Sequence, residues 1–271
     1  KSYCPPCARP MARGGLTFPP PARYTQGMED QLEMTKKRLS ELARRAERRG
    51  IAVFSEFLTG AEQAALLSLR PGPFEFDGGY AGAERRTAVF LPWEGAGYES
   101  AVACLQAAPA SARFAEELGH RDCLGALMSL GIRREVLGDI VPQEGKLYIF
   151  CLRSIAPYIA ENLTQIRRTS VRVSIAAAPP EPPPPPPESG VVVASERLDA
   201  LVAAVYNLSR AEAQRLFERE LVLVNSLPAR GGAAPVKPGD VVSVRGHGRF
   251  EYCGAQRETR KGRLRVNVRI Y

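Results

Sequence analysis

The first regular pattern along the chain is that of an amphipathic helix. From Thr35 onward, apolar residues recur three and four positions apart, at Leu39, Leu42, Ala43 and Ala46. This spacing puts them on one helical face, and Gly50 follows where a helix end favours glycine. Lysines and arginines cover the other faces, and either a solvated surface or contact with RNA phosphates explains them. The preceding residues 1–34 open with prolines and glycines and are predicted to be a disordered tail.

Two further patterns complete a small N-terminal α+β unit, predicted over residues 35–98. Thr59 and Glu62 have the spacing of a capping box, which predicts the start of a second helix. Residues 74–76 and 87–91 are short apolar runs separated by a glycine-rich stretch, a pattern typical of a two-stranded hairpin.

A middle domain, predicted over residues 99–176, shows the element order βαββαβ. Strands are predicted near residues 102–107, 136–141, 147–152 and 171–175, and helices near residues 122–130 and 155–163. This order is that of a ferredoxin-like plait, which RNA-recognition domains share with many proteins that do not bind RNA. Its strands lack the paired aromatic signature of a typical RNA-recognition motif, so the element order carries little functional information.

A proline-rich segment separates the middle domain from a C-terminal one. Residues 177–190 contain eight prolines, a composition that adopts an extended polyproline II conformation and predicts a semi-rigid linker. The last domain, predicted over residues 191–271, opens with an apolar helical stripe. Ser209 and Glu212 then form the capping box of a second helix.

Two surfaces of this last domain are predicted to be basic. On the second helix, Arg210, Gln214, Arg215 and Glu218 lie within one arc, on a different side from the apolar residues. In the last strand, apolar residues alternate with Arg263, Arg265, Asn267 and Arg269. A solvated strand face would show the same alternation, but arginines in one row beside further basic residues favour contact with phosphates.

The distribution of charge agrees with these two surfaces. The chain has a net charge of +8 and a pI near 9.4. Residues 191–271 hold fourteen of the lysines and arginines but eight of the acidic residues, a local excess of six. Such an excess attracts polyanions, although an ordinary soluble basic surface would show it too.

Cysteines and histidines predict neither a metal nor a cofactor. Cys4 and Cys7 are the one closely spaced pair, whereas a zinc site needs a second pair or histidines at ligand spacing. His120 and His247 are isolated in the sequence. The other cysteines are typical of buried thiols in a reducing compartment. Because no apolar run of about 18 residues and no signal-peptide order is found, the cytoplasm is the expected location and no membrane contact is expected.

Several motifs together carry a family resemblance. Arg197-Leu198-Asp199, Ser209-Arg210, Ala213-Gln214 and residues 221–225 and 239–246 resemble the S4 domain. That family's helix pair and small sheet dock on structured RNA. Further segments are similar to the YlmH-type subgroup of S4 proteins, at residues 76–86, 90–92, 119–127, 138–140, 245–250 and 258–263. The resemblance extends over residues 35–271.

The resemblance implies an RNA-binding protein rather than an enzyme. It implies a bacterial, cytoplasmic and monomeric factor of ribosome-associated quality control that needs no cofactor. Its expected partners are 23S rRNA and P-site tRNA on stalled 50S–nascent-chain complexes, with no DNA partner. An older association of this family is with cell division.

The resemblance also implies which residues contact RNA. Arg210 and Arg215 would neutralise phosphates, and Gln214 and Asn225 would form short-range hydrogen bonds. The full predicted set is Arg197, Ser209, Arg210, Gln214, Arg215, Asn225, Arg245, Arg249, Lys261, Arg263 and Arg265. Glu220 and Ser226 stand where S4 domains usually have glycine, so these turns are expected to form without glycine's freedom at positive φ.

An S4 domain also occurs in RNA-modifying enzymes, which gives an alternative function. Arg197-Leu198-Asp199 resembles the catalytic segment of pseudouridine synthases, but it opens an S4 helix and no catalytic domain follows it. A methyltransferase would need a helix directly after a glycine-rich loop, and residues 78–82 are not followed by one. A protein–protein role in cell division is the other alternative.

Overall fold

The computed structural model describes residues 21–111, 116–182, 184–258 and 262–271. It contains three β-sheets, each packed against helices. Every strand pairing among the described residues is antiparallel. This combination of helices and antiparallel sheets confirms the predicted α+β class.

The N-terminal part is a three-stranded sheet covered by two helices. Its elements are α1 (Pro21–Arg49), β1 (Val53–Leu58), α2 (Gly60–Leu69), β2 (Phe74–Asp77) and β3 (Arg86–Phe90), with the strand order β1-β3-β2. Leu39 and Ala46 of α1 are fully buried in the same cluster as Phe90. The predicted capping box is confirmed, because the Thr59 Oγ1 accepts from the Glu62 N–H at 3.4 Å and the Glu62 carboxylate accepts from the Thr59 N–H at 2.8 Å.

Helix α1 begins earlier than the sequence pattern predicts. It includes residues 21–34, which were expected to belong to a disordered tail, whereas residues 1–20 lie outside the described residues. The segment just before Thr35 is rich in good helix formers, namely Glu29, Gln31, Leu32, Glu33 and Met34. A helix already fixed by packing extends at low cost into such residues, because the unfavourable nucleation step has been passed.

The middle part forms the predicted plait. Its elements are β4 (Val102–Pro109), α3 (His120–Ser129), β5 (Leu137–Gln143), β6 (Lys146–Leu152), α4 (Ala156–Asn162), β7 (Gln165–Ile166) and β8 (Thr169–Ile175). The strand order is β5-β6-β4-β8-β7, so the βαββαβ order is confirmed with one short strand added. Leu105, Ile149 and Leu127 are fully buried where α3 and α4 cover one sheet face.

The loop between β2 and β3 joins the N-terminal part to this plait. Asp139 of β5 accepts hydrogen bonds from the Tyr80 hydroxyl at 3.0 Å, from the Glu84 N–H at 2.7 Å and from the Arg85 N–H at 3.1 Å. The Arg85 guanidinium donates to carbonyl oxygens on both sides of the contact, and burial lowers its pKa. Asp139 is therefore the centre of the interface between the two parts.

The C-terminal part is a six-stranded sheet with two helices on one face. Its elements are β9 (Glu188–Val193), α5 (Leu198–Val205), α6 (Arg210–Glu218), β10 (Val222–Val224), β11 (Leu227–Pro228), β12 (Val241–Val244), β13 (Gly248–Glu258) and β14 (Leu264–Ile270). The strand order is β11-β10-β12-β13-β14-β9. Residues 188–190 lie in the segment predicted as linker, but they pair with β14 as the edge of this sheet. Val266 and Val268 are fully buried, as the alternation in the last strand predicts.

The turn after α6 and the turn between β10 and β11 adopt left-handed backbone without glycine. Glu220 has φ 53° and Ser226 has φ 68°, so both retain the conformation that glycine usually supplies in this family. A left-handed L-residue is strained by about 1–2 kcal/mol, whereas glycine there loses about 0.5–1 kcal/mol through backbone entropy.

Substituting Glu220→Gly should therefore stabilise the protein by about 0.5–1 kcal/mol. In urea unfolding, this change should raise the urea concentration at the unfolding midpoint and leave the slope m of the unfolding free energy unchanged. The matched control is Glu218→Gly in α6, where helical backbone gains nothing from glycine and a loss of about 1 kcal/mol is expected. Destabilisation of the same size by both variants would show that the turn carries no strain.

Candidate RNA-binding surface

The C-terminal helix pair is positioned by packing and by one cap. Leu201 and Val202 of α5 and Ala213 of α6 are buried against the sheet. The Ser209 Oγ accepts from the Glu212 N–H at 3.2 Å, and the Glu212 carboxylate accepts from the Ser209 N–H at 2.8 Å. These bonds lower the pKa of Glu212. Ser209, a predicted RNA contact, thus fixes the start of α6.

A groove lies between the N-terminal ends of α5 and α6. It has a volume of about 480 Å³, and its charged and polar lining includes Arg197, Asp199, Arg210 and Gln214. Its other lining residues are small, namely Ala194, Ser195, Ala200, Ala211 and Ala213. The structure therefore brings together three of the predicted site residues, Arg197, Arg210 and Gln214, in a groove that is otherwise lined mainly by small side chains.

One carboxylate in the groove is neutralised from within it. The Arg197 guanidinium donates two hydrogen bonds to Asp199, at 3.1 Å and 2.6 Å, and this contact lowers the pKa of Asp199. Asp199 also accepts from the Ala200 N–H in the first turn of α5. Because Arg197 offsets that charge, Arg210 adds a net positive charge to the groove.

Helix α6 presents two arginines to solvent. Arg210 and Arg215 are exposed, and neither forms an ion pair with a residue in the described ranges. The Gln214 side chain lies between them in sequence and makes one long contact, 3.4 Å, to Glu218. A cation without a carboxylate partner can approach a phosphate without first breaking an ion pair.

A second basic surface lies at the end of the β13–β14 hairpin. Arg257 and Arg265 are direct cross-strand partners, and both are exposed, as is Arg263. Like charges directly opposite each other are destabilising in a sheet, which an anion between them would relieve. Lys261 was also predicted here and lies outside the described residues. Arg257 is absent from the predicted set, because only the strand register places it opposite Arg265.

A glycine makes room for one of these side chains. A Cβ placed on Gly190 of β9 would lie 2.7 Å from the Arg265 Nε. The Arg265 guanidinium therefore crosses over the edge strand at Gly190, and a side chain at this position would displace it.

Other predicted residues have partners within the protein. The Arg249 guanidinium forms an ion pair with Glu84 at 2.6 Å and lies 4.8 Å from the centre of the Tyr271 ring. The hydrogen bond to Glu84 raises the pKa of Arg249. Arg249 therefore connects the C-terminal sheet to the β2–β3 loop. Arg245 is exposed directly after β12.

The row of arginines on the last strand is interrupted by acidic partners. Arg269 forms ion pairs with Glu188 at 2.7 Å and with Glu251 at 3.2 Å. Arg269 is therefore removed from the expected row of phosphate contacts on this strand, and Arg265 stays exposed near the hairpin end.

Both ends of the Asn225 amide are used in the fold. Its Nδ2 donates to the Asp240 carboxylate at 2.8 Å, and its Oδ1 accepts from the Val241 N–H at 3.0 Å. The Asp240 carboxylate also accepts from the Lys237 N–H at 2.8 Å. Asn225 is exposed but is held in the turn between β10 and β11.

We therefore expect Asn225→Ala to lower stability by about 1–2 kcal/mol and to leave the salt dependence of RNA binding unchanged. A double-mutant cycle with Asp240→Ala in urea unfolding would measure the coupling of the two residues, which should be non-additive because they share one hydrogen bond. A change in the salt slope without a stability loss would instead assign Asn225 to RNA.

Two other features, a membrane-spanning helix and a metal site, are not found among the described residues. In the ranges that the structure describes, no helix is both long and apolar enough to cross a bilayer. Within the same ranges, no three His, Cys, Asp or Glu side chains form a group able to hold a metal ion. Cys123 and Cys151 are buried free thiols, and burial raises the pKa of each to about 12, whereas Cys4 and Cys7 lie outside the described residues.

Known proteins are similar to this one over most of the chain. The family model described as "Putative RNA-binding domain in YlmH" matches residues 103–178, most of the plait. The "Ribosome-associated protein quality control protein P2" of Bacillus subtilis (strain 168) is 33% identical over 222 residues, which cover 78% of this chain and 84% of that protein. Among solved structures, the "Cell division protein ylmH from Streptococcus pneumoniae" matches with a TM-score of 0.44 and 17% identity, covering 55% of this chain and 91% of that one.

The identity to the Bacillus subtilis protein extends well beyond the one domain that the family model matches. It covers most of both chains, so it includes sequence outside the plait. The chain belongs to the YlmH family.

Proposed function

We propose that this protein is a non-enzymatic RNA-binding factor of ribosome-associated quality control. In this proposal it binds 23S rRNA on the large ribosomal subunit and stabilises P-site tRNA on stalled 50S–nascent-chain complexes. Membership of the YlmH family supports the cellular role, since the Bacillus subtilis member is named for ribosome-associated quality control. It acts as a cytoplasmic monomer and without a cofactor.

The observation that carries the proposal is the exposed pair Arg210 and Arg215 on a capped helix beside the groove. The cap and the buried face hold α6 rigidly, so the two charges reach RNA with little loss of entropy. Phosphate contacts of this kind fix position and register while reading little sequence. That property suits a factor that meets a fixed ribosomal surface and different tRNAs.

The hairpin end supplies a second cationic element. Arg257, Arg263 and Arg265 lie on strands β13 and β14 or between them, whereas Arg210 and Arg215 lie on α6. Two basic elements on one domain allow contact with two RNA segments at once. Each segment then raises the effective concentration of the other, which is how a small factor can hold tRNA on the subunit.

A retention assay tests this function. Split 50S particles carrying labelled peptidyl-tRNA are incubated with the protein and pelleted at intervals, and the tRNA left on the particles is counted. The proposal predicts slower tRNA loss with wild type than without protein, and an intermediate rate with Arg257→Ala/Arg265→Ala. An unchanged rate of tRNA loss with saturating wild-type protein would refute the stabilising role.

A further inference from the structure

The plait has one sheet face that α3 and α4 do not cover. On the interior strand β6, Leu147 and Ile149 face the helices and are fully buried. Tyr148 and Phe150 alternate with them and belong to a separate apolar cluster on the opposite face. Strand β6 therefore carries two aromatic residues, Tyr148 and Phe150, on this face.

The protein itself covers one end of this face. The Tyr80 ring stacks on Phe150 with ring centres 4.4 Å apart and planes at 22°. Phe57 packs beside it, since a Cβ on Gly138 would lie 2.6 Å from the Phe57 ring. Phe150 is thus fully buried, whereas Tyr148, two residues away, is partly exposed.

The strand register surrounds Tyr148 with polar and cationic side chains. Its direct partners are Gln106 on β4 and Val141 on β5, and Ser174 on β8 is opposite Gln106. The next row contributes Gln143 on β5, Lys146 on β6 and Arg172 on β8. Opposite Arg172 stands Ala108, a small residue that leaves the space between the two cations open.

The polar groups of these side chains have no partner within the described part of the fold. Gln106, Tyr148, Lys146 and Arg172 form no side-chain hydrogen bond or ion pair with any described residue. Neither of the two rows contains a carboxylate. The open half of the face is therefore an aromatic ring flanked by two amides and two positive charges.

We propose that this open half-face binds a short single-stranded RNA segment, with one base stacked on Tyr148. The Gln106 amide hydrogen-bonds the edge of that base, and Lys146 and Arg172 contact the adjoining phosphates. An aromatic ring on an open sheet next to cations is the arrangement that binds unstacked bases in single strands, and it does not fit a duplex, whose bases are already stacked. This site rests on the proposed function only in taking RNA as the partner.

The test uses the full chain and a fluorescently labelled 12-nucleotide single-stranded RNA of mixed sequence. Fluorescence anisotropy should show Tyr148→Ala binding about tenfold or more weakly, since stacking on an aromatic ring contributes strongly to the binding of each base. Tyr148→Phe keeps the ring and should bind within about twofold of wild type. Tyr148→Leu keeps the apolar packing without the ring and should bind as weakly as Tyr148→Ala.

Two comparisons separate this site from the C-terminal one. Tyr148→Leu should sediment with 50S particles nearly as wild type does, whereas Arg210→Ala/Arg215→Ala should retain most of its affinity for the single-stranded probe. Wild-type probe affinity for both Tyr148→Leu and Tyr148→Ala would overturn the proposal, and this is also the result expected if a protein occupies the face. Weak probe binding by Tyr148→Leu together with unaltered sedimentation of the arginine variant would refute the C-terminal assignment and leave this site standing.

Discussion

Replacing Arg210 and Arg215 together with alanine should weaken binding to 50S particles by about tenfold or more near 0.1 M salt. Each arginine that contacts a phosphate releases condensed counterions, which adds about 0.7–0.9 to the slope of log K against log salt. The double variant should therefore flatten this slope by about 1.5. Co-sedimentation across a salt series measures both quantities.

The matched control is Arg44→Ala/Arg48→Ala on α1. These arginines are also exposed and lie on one helix, four positions apart rather than five, so the control removes the same charge at nearly the same spacing. If the control lowers the affinity and the slope as much as the α6 variant, attraction depends on total charge and α6 is not the docking helix.

Replacing Asp139 with alanine should cost about 3 kcal/mol of stability. The substitution removes the acceptor for the Tyr80 hydroxyl and for the N–H groups of Glu84 and Arg85. It also removes one of the carboxylates that offset the burial of two half-buried guanidinium groups, those of Arg85 and Arg134. Burial lowers the pKa of both arginines, and Asp139 counters that effect.

Two variants serve as controls for Asp139→Ala in thermal or urea unfolding. Asp139→Asn keeps one acceptor and should fall between wild type and Asp139→Ala. Glu84→Ala removes only the surface ion pair with Arg249, because the hydrogen bond to Asp139 comes from the Glu84 backbone, so it should cost less than about 1 kcal/mol. Equal losses from Glu84→Ala and Asp139→Ala would contradict the central role of the Asp139 carboxylate.

The local rules of the sequence predict much of this fold. Capping boxes at Thr59 and Ser209 are visible as residue types at fixed spacing, and both are present in the structure. The plait follows from periods of two and 3.6 in the apolar pattern. These signals act within a few residues, so tertiary contacts need not be known to find them.

Local sequence patterns do not predict strands whose partners are far away in the sequence. In β1, Ser55 is a buried polar residue whose hydroxyl accepts from the Ala88 N–H, so the strand shows no clean alternation. Residues 188–190 follow a proline run, and only pairing with β14 makes them a strand. Neither partner is near in sequence.

The sequence predicts which residue types could form the candidate site, but it does not predict which of them form ion pairs within the protein. Arg249 and Arg269 have the side chains of phosphate ligands, yet Glu84 and Glu188 pair with them from far along the chain. Asn225 is likewise held by Asp240. Conversely, Arg257 becomes a candidate only through its register with Arg265. The sequence shows which groups can bind an anion, and the fold determines which of them form ion pairs with carboxylates of the protein instead.

The most direct test of the account is the identity of the RNA that this protein holds in cells. Ultraviolet crosslinking followed by sequencing of the bound RNA reports it, with the Arg210→Ala/Arg215→Ala variant as the comparison. The account predicts crosslinks concentrated in 23S rRNA and tRNA, with a sharp loss of the 23S rRNA signal in the variant. Crosslinks spread over messenger RNA without enrichment in either, or no RNA recovered at all, would contradict it.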